Sequence, residues 1–327
     1  MGRHAARTGL QYLLVLFAAV SLNFLLPRLA PGDAIDYLLP PDQSGAVSPE
    51  QRQELLAQFG LDGSLAEQYG RYLQGLARGD LLVSVRFGRP VGDVLGERLG
   101  WTLLLVGSTL VASSLLGSWL GFRAGWSRGS ARDAGSLTGV MAVDSLPPFF
   151  VGMLLLVVFS VQLRWFPTFG ALPPGSADGV DLVVEVLRRL ALPFVTLTLA
   201  SVGPMYLVAR SAMVTELEED YVLMAEAKGL GPAAVRRHAR RNALMPVSTV
   251  AMVGLGTLVG GATVVETVFS YPGLGRLVYD SVLARDFPLL QGAFLLLITG
   301  VIVANFLNDL LYPLLDPRTR HPLTDPA

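Results

Sequence analysis

The 327-residue chain carries 25 Lys and Arg against 26 Asp and Glu, is 52% hydrophobic and only 16% charged, and contains no cysteine. That composition excludes an ordinary soluble domain and indicates a polytopic membrane protein; the absence of cysteine excludes disulfides, thiolate metal sites and cysteine nucleophiles. Net charge is near zero, so what informs is its distribution: the basic residues are nearly all arginine, and Lys228 is the single lysine.

In chain order, uncharged stretches run Thr8 to Pro27, Leu99 to Phe122, Ser145 to Leu163, Leu190 to Ala209, Asn242 to Val265 and Phe287 to Asn308. Each is near the roughly 20 residues a helix needs to cross a bilayer, which predicts an all-α polytopic membrane protein with six transmembrane helices. The first stretch has the basic start of a signal peptide, but its apolar run is too long and no small-x-small cleavage site follows Leu26, so it reads as a retained span. The third is expected to begin earlier, near Gly135, placing Asp144 inside it, and Pro147-Pro148 is expected to kink it. The second contains Gly117 and Gly121, with Gly125 and Gly129 continuing the spacing, and the fifth contains Gly256 and Gly260 beside Gly261. Small residues four apart let helices approach closely in lipid, a signal of packing rather than chemistry.

The expected organisation is residues 1–27 for the N-terminus and first span, 28–98 for an external segment, 99–312 for the remaining spans, and 313–327 for a tail. Within the external segment, Ser48-Pro49-Glu50 is a good helix start, with Leu55, Leu56 and Phe59 at helical spacing before a stop at Gly60. A second helix, about Ser64 to Ala77, places Tyr69, Tyr72, Leu73 and Leu76 together. Packing against the spans is the default for both, and capping a pore mouth or meeting an external partner is the alternative.

Arginine assigns the sides. The N-terminus (Arg3, Arg7), the second loop (Arg123, Arg128, Arg132), the fourth loop (Arg210 to Arg241) and the tail (Arg318, Arg320) hold thirteen Lys/Arg, whereas the two short opposite loops hold five. By the positive-inside rule the first set, and with it both termini, is cytoplasmic.

Chemical motifs are few. Gly125-Trp126-Ser127-Arg128-Gly129 matches GxSxG but lies in an arginine-rich turn with no preceding strand, and none of the three histidines (His4, His238, His321) has a triad context. HExxH is missing, and no GxxxxGK[ST] precedes Lys228, so the chain has no P-loop with which to hydrolyse ATP; no cofactor is expected. Among intramembrane acids Asp144 is the deepest, with Glu266 and Asp309 nearer span ends. A proton or ion relay needs several such groups, so a structural role for Asp144, such as hydrogen bonding to Ser145 or a neighbouring helix, stands beside transport coupling.

The stretch Asp220 to Pro246 carries the strongest signal. After acidic residues Glu216, Glu218, Glu219 and Asp220 comes a helix-compatible run to Lys228, a break at Gly229-Leu230-Gly231-Pro232, and a basic run with Arg236, Arg237, Arg240 and Arg241. Acid at a helix start and base at its end suit the helix dipole, and Pro232 suits the first position of a second short helix. Two short helices at an angle make a rigid knob on one membrane face; the plain alternative is the basic flank of a span.

Ala225-Glu226-Ala227-Lys228-Gly229-Leu230, followed by Arg237-His238-Ala239-Arg240-Arg241-Asn242-Ala243-Leu244-Met245-Pro246, resembles the EAA loop of ABC importer permeases, closest to the dipeptide and oligopeptide branch. Further segments resemble that branch in its order: Leu29 to Asp33, Gly88 to Val91, Ser145 to Phe149, Val265 to Gly275 and Asp309 to Arg318. The resemblance covers essentially the whole chain and implies a type I ABC importer permease fold of six spans, with the EAA coupling loop at about 211–246. It implies a second homologous permease subunit, two ATP-binding cassette ATPase subunits and an extracytoplasmic substrate-binding protein as partners in a cytoplasmic (inner) membrane, and no nucleic acid. It assigns ATPase coupling to Ala225, Glu226, Lys228, Gly229, Leu230, Arg236, Arg237, Arg240, Arg241 and Asn242. Leu223 stands where the general motif has glutamate, Glu226 replaces an arginine common in the branch, and Asp144 is not expected there. Peptides are the implied cargo, with nickel or another small solute as the alternative; from another class, a self-sufficient secondary transporter and a transport-free membrane scaffold remain.

Overall fold

The computed structural model describes residues 2–29, 48, 50, 51, 53, 54, 62–172 and 178–315, and these are helical apart from turns and one isolated β-bridge between Val83 and Pro90. The chain divides into two compact units, residues 1–101 with 272–303, and residues 102–271 with 304–327.

In the first unit, α1 (Gly2–Leu29) covers the first expected span. Of the expected helix at Ser48, the described residues show the start: the Ser48 hydroxyl accepts the Gln51 N–H at 3.2 Å and the Gln51 side chain accepts the Ser48 N–H at 3.1 Å. This reciprocal capping box satisfies donors that a helix start leaves orphaned; Leu55, Leu56, Phe59 and Gly60 lie outside the described residues, as do Ala30 to Asp33 and the tail beyond Leu315. A second capping box, Ser64 with Glu67, opens α2 (Leu65–Ala77). Its Tyr69 and Tyr72 rings pack on Phe24 of α1 at 5.0 and 5.4 Å, and Asn23 donates to the Tyr72 hydroxyl at 3.2 Å. Between α2 and α3 (Val91–Trp126) the Gly88 segment is a tight turn with Gly88 at φ +61°, closed by Ser84 N–H to Arg89 O and Val91 N–H to Leu82 O. Val91, Val94 and Leu95 of α3 then bury against Leu274 and Leu277 of α9 (Leu274–Leu283) and Leu289 and Ala293 of α10 (Phe287–Leu315). Asp286, fully buried, caps α10 through the Leu289 N–H at 3.1 Å and accepts from the Ser84 hydroxyl and the Arg86 N–H.

The second unit holds the remainder of α3, α4 (Ala131–Asp144), α5 (Pro148–Leu155) running into a π-helical turn (Leu156–Gln162), α6 (Gly179–Leu217), α7 (Asp220–Ala227) and α8 (Pro232–Val268). Gly117, Gly121 and Gly125 of α3 form the contact with α6: a Cβ on Gly121 would lie 2.5 Å from the Tyr206 carbonyl oxygen, and one on Gly125 2.8 Å from that of Arg210. The expected packing role therefore holds for these three. Gly129 departs from it, sitting past the helix end at φ +77° with nothing near its absent Cβ. Gly260 of α8 likewise has no neighbour within 4 Å. The buried core joins Phe122 of α3, Ala209 and Met213 of α6, and Ala239, Ala243 and Val247 of α8, the last three being one ridge at four-residue spacing.

Among the described residues four helices are long and apolar enough to cross a membrane, and the number reaches six when each of two bent pairs is one span. The third expected span is one such pair. Ala131–Asp144 and Pro148–Gln162 meet at 90°, far more than a proline kink, because Ser145 to Pro147 leave the helix and Pro148 restarts it at a first-turn position where no N–H is needed. The other pair corrects the expectation of a second short helix after Pro232. The basic run is the first part of α8, which continues into the fifth span and bends by 55° between Pro232–Gly254 and Leu258–Val268.

Candidate coupling site

The site is built on α7, which hangs between α6 and α8. One face is buried at Val222, whereas Leu223 and Met224 are 68% and 59% exposed, an apolar pair presented outward on a short polar helix. The helix ends in a Schellman turn: Leu230 N–H bonds to the Ala225 carbonyl at 3.1 Å and Gly229 N–H to that of Glu226 at 2.8 Å, with Gly229 at φ +79°. Glycine enters that left-handed conformation without the penalty a Cβ brings, which explains this residue here. Among the described residues, nothing beyond its chain neighbours lies within 4 Å of where its Cβ would be. Glu226 and Lys228 are exposed, and Ala225 and Leu230 are half-buried at the base of the turn.

The arginines do not form one surface with that turn. Val235, Ala239 and Ala243 face the core, which leaves Arg236 and Arg240 on one flank of α8. With Arg237 they line a 680 Å3 cavity that also takes in Trp126, over whose ring the Arg236 guanidinium sits at 5.5 Å. Arg241 is exposed outside that cavity, and Asn242 is half-buried.

Sequence reasoning missed what ties the site to the spans. The Tyr221 hydroxyl donates to Glu216 at the end of α6 at 2.5 Å, and the Asn242 side chain of α8 bonds to the same phenol. Asn242 thus turns toward α7. Burial first, then the donation to Glu216, pushes the phenol up to about 12, so this three-way tie keeps its proton throughout the physiological range. The signal was present as an acid five residues before a tyrosine, but nothing in the sequence sets the intervening turn. Tyr221→Phe removes both bonds, each worth about 0.5–1.5 kcal/mol. In the transporter that the resemblance to ABC importer permeases implies, substrate-stimulated ATP hydrolysis is expected to fall roughly 3- to 10-fold, with no pH dependence of that defect between pH 6 and 9.

A second tie anchors α4 to α6. Arg210 donates twice to Asp133, both at 2.7 Å, and the Gly129 N–H adds a bond at 3.0 Å; Tyr206 and Ser136 share one at 2.9 Å. Asp133→Asn is expected to cost about 1–3 kcal/mol at pH 7, read as a lowered melting temperature of the purified permease.

Asp144 stands apart from all of this. It is the last residue of α4, exposed, and its carboxylate lies over Gly203 of α6, where a Cβ would overlap it. Ser145 donates to the Ala142 carbonyl at 2.9 Å, so the expected bond between Asp144 and Ser145 is replaced by packing on the neighbouring helix. Glu266 is fully buried and accepts from the Thr102 hydroxyl at 2.8 Å.

The family described as the binding-protein-dependent transport system inner membrane component matches residues 113–321. The chain is 37% identical over 321 residues to the di/tripeptide transport system permease protein DppB of Pseudomonas aeruginosa, covering 93% of this chain and 95% of the relative. It is 36% identical over 307 residues to the glutathione transport system permease protein GsiC of Escherichia coli, covering 94% and 95%. Helices long and apolar enough to cross a membrane, together with full-length similarity of this degree, lead to one assignment: the chain belongs to the binding-protein-dependent transport system inner membrane components, as a membrane-spanning permease subunit of an ABC importer.

Proposed function

We propose that this permease imports di- or oligopeptides, with α7 and the Gly229 turn seated in a groove of a partner ATPase. The observation that carries the docking is the outward pair Leu223 and Met224 on a helix fixed at both ends, by Tyr221 at its start and the Schellman turn at its finish. An exposed apolar pair on such a rigid mount suits burial in a partner. Two ATPases, a second homologous permease and an external binding protein complete the transporter, and the arginine-rich side faces the cytoplasm. ATP binding brings the ATPases together, the coupling helices move with them, and α8, continuous from Pro232 into the fifth span, carries that displacement into the membrane. Ala225, Glu226, Lys228, Gly229 and Leu230 form the docking turn; Arg236, Arg237, Arg240 and Arg241 lie beyond it on the first turns of α8, and Asn242 positions it. Peptide cargo is supported by the full-length relatives, whose names denote di/tripeptide and glutathione permeases.

The test is co-purification with the ATPase subunits followed by ATP hydrolysis and by uptake into vesicles that hold ATP inside and meet the binding protein outside. Labelled dipeptide is expected to accumulate only with ATP. Charge reversal of Arg236 to Arg241 is expected to end uptake while the chain still inserts. ATP-independent accumulation in that variant would mean a self-sufficient carrier. In the same assay Asp144→Asn is expected to leave uptake within about twofold of the parent, since the carboxylate packs on Gly203 rather than joining a chain of titratable groups among the described residues.

A further inference from the structure

We infer that the cavity between α3, α4, α6 and α8 is a headgroup site for an anionic phospholipid. Five arginines from three elements converge on it, Arg123, Arg132, Arg236, Arg237 and Arg240, with no carboxylate in its lining. Two acids on neighbouring segments are paired with other arginines: Asp133 holds Arg210, and Glu218 holds Arg128. Five uncompensated guanidiniums repel one another, and an anion with several acceptor oxygens relieves this; the guanidinium fork fits a phosphate diester through two parallel N–H bonds. Two of the five are pre-set, Arg123 over the Trp119 ring at 4.8 Å and Arg236 over Trp126 at 5.5 Å. Stacking immobilises a guanidinium while its edge N–H groups stay free.

Position selects a lipid as the anion's source. The arginines lie within about two turns of a span end: α3 is apolar to Phe122, one residue before Arg123, and the α8 span opens at Asn242, six residues past Arg236. The cavity therefore lies at headgroup depth. Its lining also holds apolar Leu120, Phe122 and Met213, and Trp119, 52% exposed. Arginines beside tryptophan and apolar side chains suit both the phosphate and the acyl-ester end of a phospholipid. At 680 Å3 the space holds a headgroup and glycerol backbone. A headgroup here braces the first turns of α8 against α3, one turn beyond the coupling site. Lipid composition thus becomes an input to coupling, independent of whether the docking proposed above is correct.

The test uses the full-length permease in its purified complex, in nanodiscs of equal phosphatidylglycerol and phosphatidylcholine without nucleotide, with retained lipid read by native mass spectrometry after detergent transfer. Phosphatidylglycerol is expected to be enriched roughly tenfold over the bulk ratio in the parent. Arg132→Gln with Arg240→Gln is expected to return retention to the bulk ratio, and the paired lysine substitutions to keep an intermediate enrichment. Both arginines are exposed, and melting in pure phosphatidylcholine verifies that each variant folds. Bulk-ratio retention in the parent, unchanged enrichment in the glutamine pair, or equal protection by about 10 mM inorganic phosphate alone would overturn the proposal. So would a glutamine pair that keeps its phosphatidylglycerol but no longer binds the ATPase, since the arginines would then serve a protein.

Discussion

Gly229→Val is expected to abolish substrate-stimulated ATP hydrolysis, at least about tenfold down, while the chain inserts and accumulates normally. Residue 229 adopts φ +79°, where an L side chain costs about 1–2 kcal/mol and a β-branched one more. The Schellman turn that fixes the end of α7 would open before the rest of the chain noticed, because the space around Gly229 is empty of its own atoms. That emptiness makes a sharper experiment available. Asparagine tolerates the left-handed conformation, so Gly229→Asn keeps the turn and adds only a side chain. If an ATPase groove closes over Gly229, the asparagine variant loses coupling as completely as the valine one. Recovery of parental coupling by asparagine would show that Gly229 serves the turn alone, and that the groove lies on the Leu223 and Met224 side.

How much of this was written in the residues varies by scale. The apolar stretches announce spans because lipid tolerates only internally bonded backbone, so length and composition nearly suffice. The Gly117, Gly121 and Gly125 contact was legible for a similar reason, since a small residue every fourth position has few other uses in a bilayer. Bends were not. Pro147-Pro148 reads as a kink, yet the 90° turn depends on Ser145 to Pro147 abandoning helical geometry. The basic run after Pro232 read as a separate short helix because its charge differs from the span that follows. The backbone is indifferent to that change, and α8 runs through it with Ala239 and Ala243 holding the core side. At the site, the turn at Gly229 was visible in sequence and its fastening was not. Tyr221, Glu216 and Asn242 meet only once α6, α7 and α8 are arranged in space.

The second large effect is expected at Gly121, far from the coupling turn. A Cβ there would lie 2.5 Å from the Tyr206 oxygen, 2.7 Å from the Ala209 Cβ and 2.9 Å from the Arg210 nitrogen, none of which can rotate away. Gly121→Leu must therefore push α3 from α6, and overpacking of about 1–3 kcal/mol adds to the loss of the helix contact itself. The same helix supplies its own control, for Gly107 has nothing within 4 Å, and Gly107→Ala is expected to be neutral or slightly stabilising through helix propensity. Folded, monodisperse protein recovered in detergent is expected to drop at least about tenfold for Gly121→Leu and to be unchanged for Gly107→Ala. Gly121→Ala is the more telling variant. Where it still folds, α6 must shift, and α6 carries Arg210 to Asp133, Tyr206 to Ser136 and Glu216 to Tyr221. A displacement of a few tenths of an ångström at Gly121 should then appear as weakened coupling at α7, with the Tyr221→Phe defect no longer additive to it. Full additivity of the two would mean that α6 yields locally and that the coupling helix is fastened to α8 alone.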